Sequence, residues 1–158
     1  MTERIMVGVD GSAEAAAALE HAAREAVRRG ARLQVVSVAT LPASWGFAEG
    51  TAPAPGAPGF DLVGTARATA RAAVDALLEA HPGLIDRNRV EIVGLDGHPV
   101  TELVAQSSGA DLLVLGHRGR GALASALLGS VGLSCVLHAH CPVTIVRPAA
   151  DRQPQPAG

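Results

Sequence analysis

Short apolar runs separated by amphipathic stretches constrain the fold of this chain more tightly than any other feature. The run 4–9 is β-type and is broken by Asp10-Gly11-Ser12. Ser12 is suited to cap a helix, with Glu14 favourable in its first turn. Along that helix Leu19, Ala22, Ala23, Ala26 and Val27 follow the spacing of one apolar stripe, and Gly30 ends it. A second strand spans 32–38. Ala70, Ala73, Val74, Leu77 and Leu78 repeat the stripe in a second helix, which His81-Pro82-Gly83 stops. The run 89–95 reads as strand three, and Pro99 opens a short helix with Val100, Leu103 and Val104 that Gly109 closes. Strand four is 111–115, a last helix covers 130–138, and Pro142-Val143-Thr144-Ile145-Val146 is strand five. Strands alternating with helices imply right-handed crossovers, and so a parallel α/β sheet covered on both faces. Ligands of such sheets sit beyond the carboxyl ends of the strands, where the strand order reverses.

The chain has 158 residues, of which 48% are hydrophobic, enough to core a single domain over 1–147. Within it the connection 39–59 carries Pro42, Pro53, Pro55 and Pro58, with Trp45 and Phe47 near its start. It reads as an irregular loop, either a functional lid or disordered. The proline-rich, polar stretch 148–158 is expected to be a disordered tail. A net charge of −2 argues against a nucleic-acid partner, and an aromatic content of 2% leaves no platform for stacked bases. Two cysteines, no leader-like segment and no apolar run long enough to span a bilayer point to the cytoplasm and to no membrane partner.

All 13 basic residues are arginine. The absence of lysine excludes a Walker A loop, a Schiff-base enzyme and a receiver domain, each of which needs an ammonium at a fixed place. A receiver-like phosphoacceptor built on Asp10 and Asp96 fails on that ground. Any phosphate must be held by backbone N–H groups, hydroxyls and arginine.

Such a site is written after strand four. Gly116-His117-Arg118-Gly119 is followed by nine residues and then by Gly129-Ser130. Glycines there let the backbone approach a ligand closely, and a helix N-terminus behind them offers free N–H groups to an anion. Asp10 closes strand one and Gly116 closes strand four, so if these strands are neighbours both features line one crevice.

The spacing Gly116, Gly119, Gly129, Ser130 resembles the universal stress protein family in its ATP-binding, UspA-like branch. Val7-Gly8-Val9-Asp10-Gly11-Ser12 is similar to that family's first strand and acidic turn, and His138-Ala139-His140-Cys141-Pro142-Val143 to its approach to strand five. The resemblance implies a Rossmann-like open sheet in the order 3-2-1-4-5. It implies ATP as the ligand, with any Mg2+ carried by the phosphates, since no protein cluster dedicated to the metal is visible. Gly8, Val9 and Asp10 would then line the nucleoside, Asp10 accepting from ribose hydroxyls, and Val38 would offer backbone groups to the adenine edge. Leu115 and Gly116 would pass beneath the nucleotide, Arg118 and Gly119 would reach the phosphates, and Gly129, Ser130 and Val131 would supply the helix start. Homodimers through strand five are also implied.

Gly132 departs from the family, many of whose members carry a second hydroxyl there. The departure removes one phosphate hydrogen bond and puts a poor helix former in the first turn. Cys135, His138, His140 and Cys141 form the one cluster with metal-ligand chemistry, but Cys135 falls on a helix packed on the sheet and reads as a small hydrophobe. The two histidines read as a helix C-terminus. Two functions stand: a nucleotide-dependent regulatory protein without efficient catalysis, or a slow ATPase or phosphotransferase using the same site. Besides Arg118, the second reading has only His117 within the loop, and its position beside Gly116 is expected to turn it away from the site.

Overall fold

Each apolar run becomes a strand and each amphipathic stretch a helix. The computed structural model describes residues 1–41, 60–119 and 128–148. The elements run β1 (Arg4–Gly8), α1 (Ala13–Arg29), β2 (Arg32–Ala39), α2 (Leu62–Ala80), β3 (Val90–Asp96), α3 (Pro99–Ser107), β4 (Leu112–Gly116), α4 (Ser130–His138) and β5 (Val143–Val146). All five strands are parallel, in the order β3-β2-β1-β4-β5, which is the expected order. Most of the 39–59 connection and of the tail lies outside the described residues.

Alternation along the strands sorts the core into two layers. Ile5, Val7, Leu33, Val35, Leu112 and Val114 pack with α1 and α2, whereas Met6, Val36, Leu113 and Leu115 pack with Leu103 of α3 and Cys135 of α4. The helices therefore cover both faces. Helix α1 starts where the sequence says it should: the Ser12 hydroxyl accepts from the Ala15 N–H at 3.1 Å, and Gly30 ends it with φ 67°.

Four local expectations need correction. Val27 is 42% exposed, because it lies one residue, about 100°, past Ala26 and so on the shoulder of the stripe; Ala15 and Ala18 are buried instead. Arg89 precedes β3 in a 3-10 turn, and its guanidinium donates to the carbonyls of Ala26 (3.2 Å) and Ala31 (2.6 Å), closing the end of α1. β4 is shifted by one residue, since the Asp111 carboxylate accepts from the Arg4 N–H while Gly116 still pairs with Val146. β5 begins at Val143; Pro142 has no N–H and contributes only its carbonyl, to the Leu113 N–H.

Candidate nucleotide site

The crevice forms because β1 and β4 are neighbours. Strand order reverses between them, β2 and β3 lying to one side and β5 to the other, so Asp10 and the glycine loop emerge at the same point. Gly11 takes φ 84°, which turns the chain so that the Asp10 Oδ1 accepts from the Ser12 N–H at 3.0 Å. That bond orients the carboxylate. Its Oδ2 lies 2.8 Å from where a Cβ on Gly119 would stand, so Asp10 and the second loop glycine face each other directly.

Gly116 is glycine for a different neighbour. A Cβ there would stand 2.8 Å from the carbonyl carbon and oxygen of Glu14, which fixes the loop against the first turn of α1. A Cβ on Gly129 would meet the Arg118 Cα at 3.4 Å and the His117 carbonyl at 3.5 Å, with the Gly119 nitrogen at 3.8 Å. The start of α4 therefore rests on the loop. Among the described residues no side chain caps the start of α4 at Gly129. Ser130 is exposed and Val131 half-buried at this end.

Asp10, Gly116, Arg118, Gly119, Gly129 and Ser130 are thus brought together. Other residues of the set have core roles. Gly8 makes room for Leu115 and Leu103, whose methyl groups would lie 2.8 and 3.3 Å from a Cβ there. Val9 is 5% exposed and its N–H donates to the Val36 carbonyl at 2.8 Å, while Leu115 is buried on the α3/α4 face. Val38 pairs with Leu95 near the end of β2, partly buried on that same face. A Cβ on Gly132 would meet Leu128 at 3.0 Å and Ile145 at 3.5 Å, so this glycine lets α4 approach β5 closely.

His117 is the residue whose part was least visible beforehand. Its imidazole is 4% exposed, and neither ring nitrogen has a hydrogen-bond partner among the described residues. Its main chain joins three elements. The His117 N–H donates to the Val146 carbonyl of β5 at 3.0 Å, and its carbonyl accepts from the Gly129 N–H at 2.8 Å.

A groove of about 660 Å³ adjoins Asp10 on the other side, between α1 and α2, walled by Ala16, Ala73 and Ala76. At its far end His81 lies 3.3 Å from Glu20. The Arg24 guanidinium is the main reason that the Glu20 carboxyl sits below its usual range. Among the described residues no group of three or more His, Cys, Asp or Glu is placed to hold a metal. Burial pushes the thiols of Cys135 and Cys141 up from their ordinary value. Nor is any helix of the described residues long and apolar enough to cross a membrane.

The sequence profile described as "Universal stress protein family" matches residues 1–147. The chain belongs to the universal stress protein family. It is 37% identical to the universal stress protein Rv1996 of Mycobacterium tuberculosis, an alignment covering 97% of this chain and 49% of that protein. This universal stress protein thus spans about half the length of the curated relatives it matches. Among solved structures it is similar to UspA from Lactobacillus plantarum, with TM-score 0.65 and 27% identity over 92% of this chain and 97% of the other. A second similar structure is a universal stress protein in complex with cAMP, with TM-score 0.60 and 26% identity over 91% and 95% of the two chains.

Proposed function

We propose that this universal stress protein binds ATP in the crevice between Asp10 and the glycine loop, as a regulatory ligand and not as a fuel. One observation carries the reading. The Asp10 carboxylate faces the space left by Gly119, and Gly129, at the start of a helix that no side chain caps among the described residues, rests on Arg118 and His117 of the same loop. A carboxylate accepts from ribose hydroxyls, and uncapped N–H groups, a serine hydroxyl and an arginine suit phosphate oxygens. The similar structure that holds cAMP supports an adenine nucleotide as the class of ligand.

The donor set argues for binding over turnover. Backbone N–H groups and Arg118 stabilise negative charge, but they accept no proton from an attacking water. Lysine is absent from the chain, and Mg2+ would arrive on the phosphates. The alternative, a slow ATPase or phosphotransferase in the same crevice, draws on His117, whose ring nitrogens have no hydrogen-bond partner among the described residues.

Phosphate release separates the two. A ligand role predicts that ATP and a non-hydrolysable analogue raise the melting temperature alike, by an increment worth about 2.7 kcal/mol at 100 times the dissociation constant. Turnover near about 1 per second that disappears in His117→Ala or Arg118→Ala would establish an ATPase instead.

A further inference from the structure

The groove between α1 and α2 is held open by the sheet on which both helices sit. Helix α2 is seated on β3, where a Cβ on Gly94 would stand 2.5 Å from the Arg67 nitrogen and from the Val63 carbonyl oxygen. Helix α1 is seated at the end of β4, where Gly116 meets the Glu14 backbone in the same way. Three strand intervals separate β3 from β4, roughly 14 Å in all, whereas helices in contact lie about 8–10 Å apart. The difference is left unfilled, because Ala16 and Ala17 of α1 and Ala73 and Ala76 of α2 are too short to bridge it. Buried Val9, Leu19 and Leu77 also line the groove, so its surface is largely apolar.

Its two ends differ. At the far end the Glu20 carboxylate is taken up by Arg24 at 2.9 Å, with His81 3.3 Å away, so a charged ligand group finds no unmatched counterpart there. At the near end stand Asp10, Gly11 and Ser12, the turn that also bounds the nucleotide crevice. Asp10 belongs to both spaces: its Oδ2 faces Gly119, and the residue lines the groove. Gly11, next along the turn, carries no side chain that would wall one off from the other. From Ser12 to Glu20 the helix rises about 12 Å, which sets the length of the groove. Its volume of about 660 Å³ is that of a small-ligand site, about 300–1,000 Å³.

We infer, resting on the nucleotide reading given above, that the groove receives an apolar acyl or aroyl group carried on a ribose hydroxyl of the bound adenine nucleotide. The ligand class of the site is then the ribose ester as well as the free nucleotide. Position selects the ribose as the point of attachment. The groove opens at Asp10, the acceptor for ribose hydroxyls, whereas neither Gly116, Arg118 and Gly119 of the phosphate loop nor Val38 at the adenine edge lines it. An ester on one hydroxyl leaves its neighbour to donate to the Asp10 carboxylate. The lining selects the substituent, since apolar walls and a neutralised far end suit an uncharged group of limited length.

Calorimetry and fluorescence compare ATP with an ATP that carries an N-methylanthraniloyl ester on its ribose, a group that brightens on leaving water. The ester is expected to bind the unaltered chain about fivefold tighter than ATP or more, and to brighten. Ala76→Leu, at an exposed position of the groove, is expected to abolish the gain and the brightening while leaving ATP affinity within about twofold. Ala16→Leu fills the groove from the α1 side as a second variant, with circular dichroism to confirm that both fold. An ester that binds no tighter than ATP, the result given by a groove already filled by the chain itself, overturns the assignment and leaves the nucleotide reading standing. A gain that survives both variants does the same. Failure of ATP and ester alike to bind overturns the nucleotide reading and the assignment together.

Discussion

The two faces of the sheet are covered by helices of different reach. Helices α1 and α2, of 17 and 19 residues, bury one face under a stripe made largely of alanine, leucine and valine. Helices α3 and α4, of nine residues each, cover the other, and α4 turns Leu133, Val136 and Leu137 to solvent. The contrast teaches where stability and recognition reside. The long-helix face holds the larger core cluster and is closed apart from the groove beside Asp10, while the short-helix face leaves the outer stripe of α4 exposed.

The largest expected effect tests the closed face. Leu19→Ala removes a side chain that is 1% exposed and should cost about 2–5 kcal/mol, whereas Leu137→Ala on the open face should cost less than about 0.5 kcal/mol. Urea unfolding of both variants measures the gap. Equal costs would break the comparison.

A smaller effect separates two glycines of one loop. Gly116→Ala would press a Cβ against the Glu14 backbone at 2.8 Å, which cannot step aside cheaply, so about 1–3 kcal/mol of stability should be lost. Gly119→Ala meets only the end of the Asp10 side chain. It should leave the melting temperature nearly unchanged and lower nucleotide affinity instead. Smaller again is Ser12→Ala, which removes the α1 cap and should cost about 1 kcal/mol by the same unfolding measurement.

The smallest effect lies on the exposed side of α1. Hydrogen bonds from Arg28, and then Arg29, lower the Glu25 carboxyl to about 2. A lowered folded-state value stabilises the protein above the unfolded value, near 4.5, and that contribution is lost as pH falls towards about 2. The pair is exposed, so the effect is slight and weakens with salt. A carboxyl chemical-shift titration in which Glu25 has its ordinary midpoint would contradict it.

Much of the fold was legible because local and global signals agree. Ser12, Gly30, Pro99 and Gly129 mark helix ends by their own conformational preferences, and strand alternation follows the apolar runs. The misreadings came from tertiary contacts that sequence spacing does not contain. Val27 fits a helical stripe by spacing, but it stands about 100° round the helix from buried Ala26 and is left 42% exposed. Within the site, the facing of Asp10 and Gly119 followed from the neighbouring of strands one and four. Gly8 carries a packing role that its place in the motif did not announce, since a Cβ there would meet Leu115 and Leu103. The role of His117 was hidden because it is carried by its main chain, which any residue but proline could supply.

Calorimetric titration of ATP into the unaltered protein and into Gly119→Val tests the central claim most directly. The account predicts one ATP bound per chain, and an affinity that falls about tenfold or more in the folded variant, whose side chain would fill the space beside the Asp10 carboxylate. No heat of binding to the unaltered chain, or equal affinity for both proteins, would contradict it.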